Sequence, residues 1–390
     1  MTEQPLVSVF IPYYNDEKFL KQSIESVLNN DYQNFELVLL NHATTDSCRE
    51  IAHSYDDNRI IHIDMDKNYG AGGGLLFSKL LDVAKGKYIK PLCADDMLAK
   101  NGLTDLVCYM ESHPNKDFAF GNIEYMDEFG EDLNENWFES REFFSVDNDE
   151  ADCIRLYSEG KSFLPWIGSI IKRDILYKIP INKTFVMTFD MYIWSALLCS
   201  GYKLGYLDEK IAKYRIHKNQ VSAIEKEDIA GCYSYFELRS YVNVFFLINS
   251  VELAKKVWKD CKFNNKLTDK SDLDFYIAYN LFINDVCWGG GATILDQLLN
   301  DDAKRAHIAQ VFGYDIKDFR ADMQLFRPDR KLKKGNVFKR FKQKIYSKPV
   351  KKLGLRDMSF LIIHRLYNII TLSDLRTKLK ERKNKKRYSL

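Results

Sequence analysis

The order of apolar runs in this chain predicts an α/β fold, a mostly parallel sheet with helices on both faces followed by a helical C-terminal region. Three observations carry the prediction. Short continuous apolar runs alternate with stretches of helical spacing over the first 120 or so residues. The runs lack polar alternation, as strands buried on both faces do. Beyond residue 225 the pattern changes to aromatic residues at helical spacing.

Each element follows from its residues. Residues 6–11, LVSVFI, read as the first strand. Over 16–29, Leu20, Ile24, Val27 and Leu28 share one helical face, with Asp16 placed to cap the start. Residues 35–40 form a second strand, which runs out into the polar turn Asn41-His42-Ala43-Thr44-Thr45-Asp46. Thr45 or Asp46 can cap a helix reaching about Tyr55. A third strand at 59–63, a helix at 75–84, a fourth strand at 87–92 and a fifth beginning at 117–120 continue the alternation. Ligands bind at the carboxyl ends of strands in such sheets, which is where the polar turn after Leu40 lies. Segments 231–249 and 273–288 are expected to be helical, their Tyr and Phe stripes forming core. The run Gly289-Gly290-Gly291 reads as a turn between helices. The expected organisation is a domain at 1–224, a helical appendage at 225–330 and a basic amphipathic tail at 331–390.

Composition narrows the class. The chain has 390 residues with 23 Tyr and 25 Phe, enough to bury a sizeable core and too many for a disordered chain. Eight Cys are scattered singly with no CxxC pair, which points to reduced thiols and away from zinc or disulfide frameworks. The N-terminus lacks a basic, then apolar, leader pattern, and no apolar run reaches the length of a spanning helix, so a cytoplasmic location is expected. The net charge of +2 conceals an asymmetry. Residues 331–390 hold 20 Lys+Arg against 3 Asp+Glu, while the whole chain holds 57 against 55, so the preceding residues are net acidic by 15. An amphipathic stretch, 358-MSFLIIHRLYNIITL-372, lies inside the tail. It suits an anionic membrane at the inner face of the cell, or packing on the body or a partner. Few aromatics interleave with its charges, so no nucleic-acid partner is expected.

Chemistry concentrates at strand ends. Residues 92-LCADDM-97 place adjacent acids after the fourth strand, where a divalent cation or hydrogen-bond donors must offset their repulsion. Oxygen ligands of this kind suit Mg²⁺ or Mn²⁺ on a diphosphate; the same acids also suit a helix cap before Met97.

The ordered set VSVFIPYYN, FELVLLNHATTD and NYG…AKGKYIKPLCADD closely resembles the family 2 glycosyltransferases, whose motifs read V-S-V-I-I-P-x-Y-N, D-D-G-S-T-D, N-x-G, A-x-G-x-Y-I and D-x-D-D. The resemblance covers about residues 6–222. It implies the GT-A nucleotide-diphospho-sugar transferase fold and inverting transfer of a sugar from a nucleotide diphosphate, usually UDP, to an acceptor hydroxyl. The implied acceptor is a glycan or lipid-linked hydroxyl in surface polysaccharide synthesis. By position it implies a nucleotide-sugar pocket at Pro12, Tyr13, Asn15, Asn41, His42, Asn68, Gly70, Asp95 and Arg215. It implies a Mn²⁺ or Mg²⁺ site at Asp95, Asp96 and His217. The block 188-TFDMYIWSALLCSGYKLGYLDEKIAKYRIHKNQVS-222 resembles the family's acid-D-x-x-L/W…G…Y-R-x-H…S segment and puts the catalytic base at Asp190.

Two departures bear on the donor: His42 replaces an acid, and Cys93 replaces the first acid of D-x-D-D. The segment 70-GAGGGLLFSK-79 lacks the customary Arg, and its glycines suit either close approach to a ligand or a flexible loop. Plain structural roles compete at several positions. Asp190 also suits a helix cap, His217 a surface histidine, Trp166 either a sugar platform or core, and Lys172-Arg173 a solvated turn. Two other functions compete, a nucleotidyltransferase and a non-catalytic sugar-nucleotide or anionic-surface binding protein. Pro12-Tyr13-Tyr14-Asn15 stands where the first would carry a Gly-rich basic signature, and Asp95, Asp96 and Asp190 argue against the second.

Overall fold

The computed structural model describes residues 4–69, 73–136, 145–183, 188–218, 220, 237, 241–284 and 286–326. The expected tail, Gly70 and the boundary after residue 224 lie outside the described residues. Residues up to Phe326 belong to one compact unit.

One mixed sheet organises that unit, in the order β3-β2-β1-β4-β8-β6-β9-β5, with β5 (Met97–Leu98) at its edge and β7 (Asp132–Asn136) paired to β6. Its parallel half comprises β1 (Val7–Tyr13), β2 (Phe35–Asn41), β3 (Ile60–Asp64) and β4 (Tyr88–Pro91). The other half holds β6 (Phe118–Met126) parallel to β9 (Leu204–Arg215), with β8 (Ser169–Lys172) antiparallel between β4 and β6. Alternation along the strands feeds two cores. Val9, Ile11, Leu37 and Leu39 enter one with α1 (Leu20–Leu28), α2 (Cys48–His53) and α4 (Gly102–Ser112). Phe10, Val38 and Leu40 enter the other with α3 (Gly73–Val83), α5 (Glu150–Ser158) and α7 (Phe189–Cys199). The second core continues through Tyr241, Phe245, Phe275, Phe282 and Phe312, so the described parts of the later aromatic stripes are core; residues Tyr241–Leu247 form a 3-10 helix rather than an α-helix.

Local expectations hold with three corrections. The first helix starts at Leu20 rather than near Asp16, whose carbonyl accepts the N–H groups of Phe19 and Leu20 in a preceding turn. Asp96 caps no helix: Met97–Leu98 is a short strand, β5, and α4 begins at Gly102. The Gly289-Gly290-Gly291 run is helical, inside α10 (Trp288–Asn300) after α9 (Leu273–Phe282). A Cβ on Gly291 would collide with the backbone of Leu281 and Phe282, so the glycine is there for close helix packing. Here α6 is Arg173–Leu176, α8 Val251–Val257, α11 Asp302–Phe312 and α12 Ile316–Leu325.

Candidate active site

The acidic turn after β4 is clamped from β9. Strand β5 pairs with β9 at Met97↔Lys213 and Leu98↔Ala212, which brings Arg215 against the turn. The Arg215 N–H donates to Asp96 Oδ1 at 2.8 Å and its Nε to the Asp95 carbonyl at 2.8 Å. Its Nη1 reaches the carbonyls of Asp127 and Glu128, and its Nη2 reaches Gln22 Oε1 at 2.6 Å. The guanidinium also lies over the Phe19 ring, 4.8 Å from its centroid. Arg215 is only 1% exposed, so the expectation that it reaches a diphosphate is corrected. Four of its five guanidinium N–H groups go to protein acceptors, and it fixes the shape of the acidic turn.

The two acids therefore play different parts. Asp96 is sealed behind the turn, where burial and the Asp95 charge push its pKa up while the Arg215 N–H and the Cys93 thiol stabilise the anion. Asp95 turns to the rim, its Oδ2 3.0 Å from His217 Nε2. His217 rests on the Phe19 ring at 4.7 Å, its backbone N–H donates to Gln220 Oε1, and Gln220 Nε2 donates in turn to the Tyr214 hydroxyl. Asp16 joins this cluster unannounced by the sequence pattern. Burial, then the nearby Asp95, lifts its pKa to about 6. Cys93, Asp95 and Asp96 offer ligand atoms within 4.8 Å of one another. Burial and both acids hold the Cys93 thiol protonated well above its usual range, which makes it a poor ligand for a hard cation. Asp95 and His217 supply the oxygen and nitrogen donors that Mn²⁺ accepts.

The turns after β1 and β2 close on each other. Asn15 Oδ1 accepts the Thr45 N–H at 2.9 Å, and the Asn15 N–H donates to Thr44 Oγ1 at 2.9 Å. Asn41 donates to Asp64 Oδ1 at 2.8 Å and accepts the Thr44 N–H. An aspartate at 41 would repel Asp64, so the amide suits this neighbour. Pro12 is half-buried beside them. Tyr13 is corrected: it shares the parity of Val9 and Ile11 and points into the core, 2% exposed. Tyr14 is the surface aromatic, 36% exposed and edge-on to His42 at 6.2 Å. The motif P-x-Y-N carried that signal, since its Tyr falls on position 14. His42 is stacked on Tyr69 at 6.4 Å, and its Nε2 accepts the Tyr69 N–H at 2.9 Å. The imidazole thus spends an acceptor nitrogen on protein, where an acid would keep an oxygen for a ligand. Asn68 is half-buried just before Tyr69.

Asp190 lies in the first turn of α7 and is partly exposed. Burial lifts its pKa to about 6, against N–H groups of the helix start that favour the anion. A short path links this turn to the rim. Lys90 is fully buried on β4, its Nζ donating to the carbonyls of Pro91 and Ile167. Burial brings its pKa down to about 7, while Cys93 and Asp96 oppose the fall. Ile167 belongs to the turn Trp166–Gly168, and Trp166 packs on Phe77, Phe189 and Trp194. Trp166 is therefore part of the aromatic core beside Asp190. Lys172 and Arg173 are also committed, to the carbonyls of Pro114 and Ala84. Gly74 abuts the backbone of Asn182, so at that position the glycine answers to packing.

Residues 8–179 match the family model described as glycosyl transferase family 2. An uncharacterized glycosyltransferase of Methanocaldococcus jannaschii is 31% identical over 245 residues, covering 61% of this chain and 80% of that protein. The chain belongs to glycosyl transferase family 2. This glycosyltransferase is also similar to the putative teichuronic acid biosynthesis glycosyltransferase TuaG of Bacillus subtilis, with 25% identity over 222 residues, 56% of this chain and 82% of that one. Among solved structures, S. aureus TarS 1–349 in complex with UDP-GlcNAc aligns with TM-score 0.49 and 17% identity over 82% of this chain and 91% of that chain. That likeness is too loose to carry an argument. No helix among the described residues of the glycosyltransferase is long and apolar enough to cross a membrane.

Proposed function

We propose that the chain is a metal-dependent inverting glycosyltransferase. It moves a sugar from a UDP donor to a hydroxyl of a glycan or lipid-linked acceptor, in the synthesis of a surface polysaccharide. The observation that carries this reading is the pairing of Asp95 with His217 at the carboxyl ends of β4 and β9, beside the turns of β1 and β2. Asp95 and His217 would hold Mn²⁺ or Mg²⁺, with Asp96 behind them as anchor; the ion when bound offsets charge on the departing diphosphate. Tyr14 and Tyr69, both exposed and packed on the buried His42, offer aromatic surface for the base, and the clamped turn at Asn15 and Asn41 keeps that surface in place. Asp190 takes the proton of the acceptor hydroxyl as its oxygen attacks the anomeric carbon and the bond to the diphosphate breaks on the opposite face. A pKa near 6 leaves Asp190 ionised at neutral pH and more basic than an ordinary carboxylate. The tail, outside the described residues, would hold the enzyme at an anionic membrane on the cytoplasmic side, at about 1 kcal/mol per basic residue near the surface.

The test is a panel of UDP- and GDP-sugars with Mn²⁺, read by nucleotide release and thermal shift. A UDP-sugar is expected to respond, and Asp95→Ala or His217→Ala to abolish the metal dependence. Asp190→Asn should still bind nucleotide while transfer falls by about 10²–10⁴. Normal transfer by Asp190→Asn would remove the base assignment.

A further inference from the structure

The start of α7 is held from outside its own helix. Thr188 is the N-cap residue, a position where a threonine hydroxyl ordinarily accepts an N–H from the first turn. Here the hydroxyl donates instead to Glu237 Oε2 at 2.9 Å, and the Thr188 N–H donates to the same oxygen at 2.8 Å. Glu237 is 49 residues away in sequence and only 8% exposed. The residue between Thr188 and Asp190 is Phe189, whose ring is committed to Phe77 and Trp166. The N-cap side chain makes no hydrogen bond to the first turn of its own helix. Glu237 ties it from a separate segment, through two bonds to one oxygen.

A carboxylate in that position does more than tie the backbone. The helix N-terminus favours anions, and two of them, Glu237 and Asp190, share this one. The charged and titratable groups that act on Asp190 are Glu237 and, from α5, Tyr157. Burial is the first cause of the raised pKa of Asp190, and the Glu237 charge adds to it in the same direction.

We propose that Glu237 is a positioning residue for the transfer reaction, anchoring the first turn of α7 through Thr188 and setting how readily Asp190 takes up a proton. The inference rests on the reading of Asp190 as the base. It makes Glu237, far along the chain from Asp190, part of the catalytic apparatus.

The full-length chain, labelled with ¹³Cγ-aspartate, tests it without a donor sugar. The Asp190 resonance is identified by its loss in Asp190→Asn, and its titration is followed from pH 4 to 8. In Glu237→Gln the midpoint is expected to fall by about half a pH unit or more, as removal of one nearby negative charge requires. If Glu237→Gln does not fold, Glu237→Asp keeps the charge but draws it back by one methylene, and the midpoint should move the same way by less. A midpoint that stays at the wild-type value in the variant that folds overturns the proposal. Once a donor is found, Thr188→Val should lower kcat about threefold or more with donor KM unchanged; an unchanged kcat also counts against it. Normal transfer by Asp190→Asn would instead overturn the base assignment itself, so the two failures are distinguishable.

Discussion

The acidic turn after β4 and the first turn of α7 both present carboxylates, yet the protein treats them in opposite ways. At the turn, Asp96 is sealed and bonded to the Arg215 backbone while its neighbour Asp95 faces His217 at the rim. At α7, no cation among the described residues is a cause of the shift at Asp190; burial and Glu237 both make it easier to protonate. The first arrangement spends buried hydrogen bonds to hold a shape. The second leaves a charge under-compensated so that it can gain a proton. On the proposed reading, a ligand site must stay where it is, whereas a general base must change its protonation state, and the two sets of surroundings suit that difference.

Removing the anchor of the first region should have the larger effect. Arg215→Met leaves the carbonyls of Asp95, Asp127 and Glu128 and the amide oxygen of Gln22 without their donor. A buried network broken on one side costs about 3–5 kcal/mol, or roughly 10 °C in melting temperature for a chain of this size. Arg215→Lys should recover little, because one ammonium cannot meet acceptors spread around a planar fork. Differential scanning calorimetry decides it. A loss under about 1 kcal/mol would mean that the sealed turn holds itself without the guanidinium.

The second region should respond with the opposite sign. The folded pKa of Asp190 is about 6 against an ordinary 3.8, so its contribution to stability is full below pH 3.8 and is lost as pH rises through 6. Asp190→Asn removes that loss. Discounted for partial exposure, the variant should gain about 1–2 kcal/mol at pH 7.5 and nothing near pH 4. Urea unfolding at both pH values measures it. An equal gain at both would assign the effect to packing and leave the charge out of it. Asp16, raised to about 6 beside Asp95, adds a slope of the same sign that Asp190→Asn leaves in place.

The rim was legible in sequence because its residues are few, contiguous and set at strand ends. Asn41, His42, Asp95 and His217 all sit where their motifs place them, on the turns of β2, β4 and β9. Strand parity was legible as well, and it sends Tyr13 inward and Tyr14 outward. What stayed hidden depends on contacts between distant segments. Nothing in YRIH says that Arg215 will turn four guanidinium donors to Asp95, Asp127, Glu128 and Gln22. Nothing in YIKP marks Lys90 as buried between two carbonyls. The glycines at 289–291 look like a turn until Val242 presses against Gly290 and Phe282 against Gly291 across a helix interface.

The smallest effect lies in the turn that joins β2 to the rim. Ala43 holds φ at +55°, a left-handed conformation that the family's D-D-G-S-T-D turn fills with glycine. The hydrogen bonds of Asn41 and Asn15 to Thr44 and Thr45 hold the backbone there. Ala43→Gly relieves the Cβ strain but adds freedom to the unfolded chain, two effects of about 1 kcal/mol and somewhat less. The net gain should be about 0.5 kcal/mol, visible as a small rise in urea midpoint with an unchanged slope. The Asp190 titration should not move, because this strain belongs to the fixed rim and not to the under-compensated end of α7. A destabilised Ala43→Gly would mean that the methyl group packs usefully in the turn, and that the rim is rigid through contact as well as through its hydrogen bonds.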